Sequence, residues 1–293
     1  LSAVNQPKRD VASVTRVPDE KRARLREILR ECGSVVIGYS GGVDSVFLAK
    51  VAVDVLGRER VLAVTGKSDS VASWMEDTAR DVAAGFGIPW LEVETREMDD
   101  PRYAANPSNR CYFCKSELWS RLSAVAAEHG LRTVLDGSNA DDVGDHRPGA
   151  AAAQENAVRS PLLEAGLTKA EIRAWSRELG LPTWDQPAAP CLASRLPYGL
   201  AVTPERLRQV ERAEIALRAL GFRDFRVRHH GSVARLEVHP SELAKVAEHR
   251  VAIDAAVRAA GFGRVLVDLQ GYRRGALNEG LGAGQLVQLG ALA

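Results

Sequence analysis

The chain has 293 residues, 45% of them hydrophobic, and a formal charge of +1. That length admits one large or two modest domains with a sizeable core. The near-zero charge gives no bulk argument for nucleic-acid or membrane-surface binding, and no uninterrupted apolar run reaches the ~18 residues of a membrane span.

Residues 1–19 lack the compact apolar run of a secretory signal and read as a flexible tail. Apolar runs then alternate with amphipathic ones. Helices are expected at 20–31, 44–56, 72–86, 115–129 and 169–180. Strands are expected at 34–39 ("SVVIGY"), 61–66 ("VLAVTG") and 133–138 ("TVLDGS"), with a shorter candidate at 91–95. The helix at 169 opens with Thr168 as cap and Glu171 reaching back. Strands alternating with helices predict an α/β, doubly wound parallel sheet over 20–183. Residues 184–200 break the pattern. Pro187, Pro190 and Pro197 preclude regular structure there and predict a linker loop able to carry function. Thr203 and Pro204 open another helix. Strands at 222–228, 233–238 and 264–269 and a helix at about 241–260 follow, which predicts a smaller α+β domain over 201–275. Two stretches in it, "LRALGFRDFRVR" and "VRAAGFGRVLVDLQ", both read helix, Gly-Phe, strand. Residues 276–293 are glycine-rich and read as a peripheral tail.

"GYSGGVDS" at 38–45 lies between a strand and a helix. Consecutive glycines at a helix mouth let backbone N–H groups approach an anion, and the helix terminus favours negative charge. Ser40 and Ser45 can donate hydroxyl hydrogen bonds beside Gly41 and Gly42. Asp44 has the wrong sign for phosphate but can hold a magnesium ion that bridges phosphates. Neither G-x-x-x-x-G-K-[ST] nor G-x-G-x-x-G is present after a strand, so the loop is of another type. Downstream, "DGSNADD" places Asn139, Asp141 and Asp142 at the C-terminal end of a strand, where open α/β sheets bind ligands.

The cysteines are Cys32, Cys111, Cys114 and Cys191. They are too sparse for a disulfide scaffold, and a reducing, cytoplasmic compartment is expected. Cys32 reads as a packed thiol. For Cys111 and Cys114 the C-x-x-C spacing alone fits a zinc half-site, a redox pair or two packed thiols. With Cys191, three thiolates plus an open position suit an iron–sulfur cluster. Trp74, Trp119 and Trp175 read as packing residues. His229 and His230 point to opposite faces of a strand.

"SGGVDS" resembles the pyrophosphate loop of the ATP pyrophosphatase, or PP-loop, superfamily. "NRCYFCK", "GSNADD…DHRPG", "PCLASRLPYG" and "FRVRHHG…ARLEV" together resemble the LarE family of ATP-dependent sulfur transferases, over roughly residues 20–275. The resemblance implies that ATP, with Mg2+, adenylates the carboxylates of pyridinium-3,5-biscarboxylic acid mononucleotide. A sulfur nucleophile then displaces AMP, giving thiocarboxylates of the nickel-pincer nucleotide cofactor. It implies ATP contacts from Ser40, Gly41, Gly42, Asp44, Ser45, Asn139 and Asp141, and from Ser68 near adenine. Cys191 matches the sulfur-bearing cysteine. It is either sacrificed or, with Cys111 and Cys114, a ligand of a 4Fe–4S cluster; the three-cysteine pattern favours the cluster. Arg226 and Arg228, on one face of a strand, and Arg195 are implied to hold substrate phosphate or carboxylate; for the strand arginines a solvated edge strand is the alternative. Glu214 and Glu237 match acidic positions near a divalent metal. A homo-oligomer and a sulfide or iron–sulfur donor are implied partners; nucleic acid and membrane are not. The competing readings are another PP-loop adenylating enzyme, such as a tRNA thiolase or amide-forming synthetase, and a non-catalytic nucleotide-binding protein.

Overall fold

The computed structural model describes residues 16–143, 148–273 and 277. The rest of the N-terminal tail, most of the C-terminal tail and the "DHR" that opens the "DHRPG" stretch lie outside the described residues.

The first domain runs α1 (Asp19–Cys32), β1 (Val35–Gly38), α2 (Val43–Leu56), β2 (Val61–Lys67), α3 (Ser73–Gly85), β3 (Trp90–Glu94), α4 (Pro101–Ala104), α5 (Arg110–Glu128), β4 (Thr133–Leu135), α6 (Pro148–Glu155), α7 (Pro161–Glu164) and α8 (Lys169–Glu178). All four strands are parallel, in the order β3-β2-β1-β4. Strand β1 explains the layering. Its side chains alternate between two faces, and both faces are covered. Val35 and Ile37 join Leu25, Phe47 and Trp175 in one core layer. Val36 joins Val64, Trp119 and Leu122 in the other. Trp119 and Trp175 are packing residues, as expected, each 3% exposed. The expected tail ends earlier than position 19, because Val17 is fully buried in the first layer.

The second domain runs α9 (Pro204–Ala219), β5 (Phe225–His230), β6 (Val233–Val238), α10 (Leu243–Glu248), α11 (Arg250–Ala259) and β7 (Arg264–Val267). Strand β6 is central, antiparallel to β5 and parallel to β7. The internal echo has a physical basis. Gly221 and Gly261 both take positive φ after a helix, and Phe222 and Phe262 both bury in the same core. That burial moves the start of β5 from the expected 222 to 225. The expected single helix over 241–260 is interrupted at His249, whose φ of −98° and ψ of 12° leave the helical region.

The prolines keep 184–191 free of regular structure, and 192–195 form one 3₁₀ turn. This segment is no loose tether. Leu192, Ala193 and Leu196 are buried in the second domain's core together with Tyr103 of α4, Ala72 before α3 and Met75 in its first turn.

Candidate active site

Strand β1 lies between β2 and β4, so the chain leaves the sheet in opposite directions on its two sides. The loop after β1 sits at that switch point, at the C-terminal edge where such sheets bind ligands. Gly41 has φ of +71°, and a Cβ there would lie 3.0 Å from Ala79 Cβ and from the Met75 carbonyl oxygen. Only glycine suits both the backbone and the space. Ser45 Oγ accepts from Ser40 N at 3.2 Å and donates to Gly42 O at 3.1 Å. The two serine hydroxyls are 3.2 Å apart. The loop is thus closed on itself at the mouth of α2.

Asp44, in the first turn of α2, faces two groups brought from far along the chain. Asn139 Nδ2 donates to it at 3.4 Å, and Lys169 Nζ forms an ion pair with it. Lys169 thus brings a positive charge to a loop whose own sequence has none, and sequence reasoning passed over it. The signal was present in the capping box. Thr168 Oγ1 accepts from Glu171 N at 3.3 Å and Glu171 accepts from Thr168 N at 2.8 Å, which fixes Lys169 as the first helical residue. Asp141 accepts from Lys169 N at 2.7 Å and so holds that helix end against the loop. The Ser68 hydroxyl is engaged within the protein. It donates to Glu97 Oε1 at 2.6 Å, as does Ser70 at 2.9 Å.

The Cys191 loop reaches the same sheet edge. Leu192 N donates to Ser70 O at 2.8 Å, just beyond β2. Asn106 and Arg110, neither singled out from sequence, clamp the loop to the helix carrying Cys111 and Cys114. Asn106 is fully buried with φ of +56°. Its Nδ2 donates to Pro197 O and Leu200 O, both at 2.8 Å, and its Oδ1 accepts from Arg110. Arg110 Nη1 also donates to Ala193 O at 3.0 Å. Arg195 donates to Pro190 O and Cys191 O, Arg226 to Ala188 O, and Arg228 to Ser194 O. Four guanidiniums therefore grip the carbonyls around Cys191.

That arrangement revises several sequence expectations. Arg195 is buried and forms a double hydrogen bond with Glu214, 2.9 Å on each arm. It is a positioning residue for the loop, and its guanidinium is already occupied. Glu214 also accepts from Val227 N at 3.1 Å. Burial alone would raise its pKa, but the Arg195 charge and these hydrogen bonds outweigh it and hold the carboxyl below its usual range. Glu237 is buried between Arg228, at 2.9 Å, and Arg235, at 2.8 Å. Both carboxylates are ion-paired with arginines. Arg226 and Arg228 are 3% and 7% exposed, which overturns the solvated-edge alternative.

Cys111, Cys114 and Cys191 are all free thiols. Burial pushes the Cys114 thiol up, and the neighbouring Glu97 charge adds to that. An all-thiol donor set has the chemistry of an iron–sulfur site. Among the described residues, however, no three His, Cys, Asp or Glu side chains stand at the spacing of a formed metal site. No described helix is long and apolar enough to cross a membrane.

Residues 19–126 match the NAD synthase family. The NH(3)-dependent NAD(+) synthetase of Pyrobaculum aerophilum is 34% identical over 98 residues, only 31% of this chain. Other relatives cover nearly everything. An uncharacterized protein of Synechocystis sp. is 46% identical over 264 residues, 89% of this chain and 98% of its own. The pyridinium-3,5-bisthiocarboxylic acid mononucleotide synthase of Lactiplantibacillus plantarum is 35% identical over 266 residues, 91% of this chain and 96% of its own. The likeness to NAD synthetases stops within the nucleotide domain, whereas the likeness to the synthase runs through the cysteine loop and the second domain. The chain therefore belongs to the LarE family, that of the pyridinium-3,5-bisthiocarboxylic acid mononucleotide synthase, within the ATP-using PP-loop enzymes.

Proposed function

We propose that the protein is an ATP-dependent sulfur transferase that turns the carboxylates of pyridinium-3,5-biscarboxylic acid mononucleotide into thiocarboxylates for the nickel-pincer nucleotide cofactor. The observation that carries this reading is the meeting of two loops at one sheet edge. The phosphate loop follows β1, and the Cys191 loop is bonded to Ser70 just past the neighbouring β2.

Each part has a chemical role. Backbone N–H groups of Gly41 and Gly42 and the hydroxyls of Ser40 and Ser45 cradle the phosphates. Asp44 is the carboxylate placed to hold Mg2+, which neutralises phosphate charge. Lys169 supplies the positive charge that the loop sequence lacks. A substrate carboxylate oxygen attacks the α-phosphorus of ATP. The bond from that phosphorus to the bridging oxygen breaks, and pyrophosphate leaves. A sulfur nucleophile then attacks the acyl carbon, AMP departs with the bonding pair, and a thiocarboxylate remains. Two rounds convert both carboxylates.

Cys111, Cys114 and Cys191 would hold a 4Fe–4S cluster, which when bound would supply a transferable sulfide. Arg195, Arg110 and Asn106 hold the Cys191 loop against the helix of the other two thiols. The same reading implies a cytoplasmic homo-oligomer served by a sulfide or iron–sulfur donor.

The test is anaerobic reconstitution with iron and sulfide, then addition of ATP and the mononucleotide, with the masses of substrate and protein measured. Sulfur gained by the substrate with Cys191 intact is the expected result. Conversion of Cys191 to dehydroalanine would replace the cluster by a sacrificial cysteine. Absence of AMP with the mononucleotide would sink the proposal.

A further inference from the structure

The sheet of the second domain has two edges, and they are finished differently. At the β5 edge, Val227 N donates to Glu214 at 3.1 Å, and Arg226 and Arg228 reach the carbonyls of Ala188 and Ser194 in the neighbouring loop. At the β7 edge, no strand among the described residues pairs with the side away from β6. Arg264 N donates to Ser232 O and Asp268 N to Leu236 O, so these residues turn their backbone groups towards β6. Successive residues of a strand alternate, which turns the backbone groups of Val265 and Val267 to the open edge. The side chains beside that edge are apolar. Leu266 is 50% exposed, Val267 36% and Leu269, just past the strand, 84%. An open edge with apolar side chains is a template for another strand.

This edge is complementary to itself. Let two β7 strands lie antiparallel with Leu266 on the two-fold axis. Val265 of each copy then faces Val267 of the other, and these are the residues with outward backbone groups. Each such pair exchanges two hydrogen bonds, and Leu266 faces Leu266 at the intervening position, where side chains come closest. Arg264 faces Asp268, and the symmetry makes that contact twice. Arg264 is exposed and has no ion partner among the described residues. Asp268 accepts from Gln270 N at 2.9 Å and lies 3.9 Å from Arg235 Nε, which leaves carboxylate lone pairs for a second guanidinium. A slip of one residue loses the backbone match. A slip of two keeps that match but separates Arg264 from Asp268.

We propose that the β7 edge is the surface on which two copies of this chain associate, joining two three-stranded sheets into one across a two-fold axis. The interface gives a surface to the homo-oligomer proposed above and does not depend on the sulfur chemistry.

The test measures the mass of the full chain in solution by analytical ultracentrifugation over a range of concentrations. It compares the wild type with Arg264→Asp, Asp268→Arg and the double variant carrying both, with circular dichroism to confirm folding. Each single reversal sets like charges face to face twice and is expected to weaken association about tenfold or more. The double variant restores opposite charges and is expected to recover most of that loss. Within one chain the two residues are about 13 Å apart along the strand, too far for an ion pair of their own, so the recovery reports the second copy. Leu266→Cys keeps the test open if a reversal folds poorly. Under mild oxidation it is expected to give a covalent dimer linked at position 266, identified by peptide mass mapping and absent from the wild type. A monomeric wild type would overturn the interface and leave the edge to a segment of the same chain. An oligomer whose mass neither reversal changes would overturn it too, while the homo-oligomer itself would stand on another surface. Loss in both single variants without recovery in the double would overturn the antiparallel register.

Discussion

Arg195 and Glu214 decide how firmly the sulfur loop is held. Both are buried, joined by two hydrogen bonds, and Arg195 extends to the carbonyls of Pro190 and Cys191. Removing one partner strands the other as a buried unpaired charge, at a cost of about 3–5 kcal/mol. Glu214→Gln should therefore lower urea stability at pH 7 by that order. The pH dependence has a definite sign. The folded-state pKa of Glu214 lies below its ordinary value, so its contribution is present above the unfolded pKa of about 4.3. That contribution is lost as pH falls through the lower folded value. The wild type should lose stability with acid below about pH 4.3, and the Gln variant should show a shallower fall over that range. Equal slopes in urea titrations at pH 7 and pH 4 would contradict this.

At the scale of the element, the phosphate loop is a turn that only glycine completes. Gly41→Ala puts a side chain at φ of +71° and 3.0 Å from the backbone of α3. Left-handed backbone alone costs about 1–2 kcal/mol, so Mg·ATP affinity should fall about tenfold or more with the fold intact. Calorimetry and circular dichroism would check both halves. Helix α8 depends on its cap. Thr168→Ala should remove about 1 kcal/mol of stability. It should also weaken Mg·ATP binding, because the same cap sets Lys169 beside Asp44. A stability loss with no change in ATP affinity would detach Lys169 from the nucleotide site.

The molecule as a whole depends on a junction. Asn106 takes hydrogen bonds from one side and gives them to the carbonyls of Pro197 and Leu200 on the other. Asn106→Ala leaves those carbonyls and Arg110 under-satisfied in a buried place, at about 1–3 kcal/mol for each stranded group. Limited proteolysis should then cut within 184–200 in the variant long before the wild type. Identical digestion patterns would show that the junction does not rely on this residue.

The sequence by itself determined the architecture. The apolar runs of β1 and β2, the capping box before α8, and the Gly-Phe repeat act through neighbours a few residues away, so periodicity and local chemistry reveal them. It determined the phosphate loop for the same reason, since Ser40, Gly41, Gly42 and Ser45 form one turn. Only the tertiary structure decided which charges are free. Lys169 meets Asp44, Arg195 meets Glu214, and Arg228 meets Glu237 across gaps in the chain that no local pattern records. The same holds for Asn106 against Pro197. A buried charge must find a counter-charge or a ligand wherever folding brings one, and that pairing is settled in space.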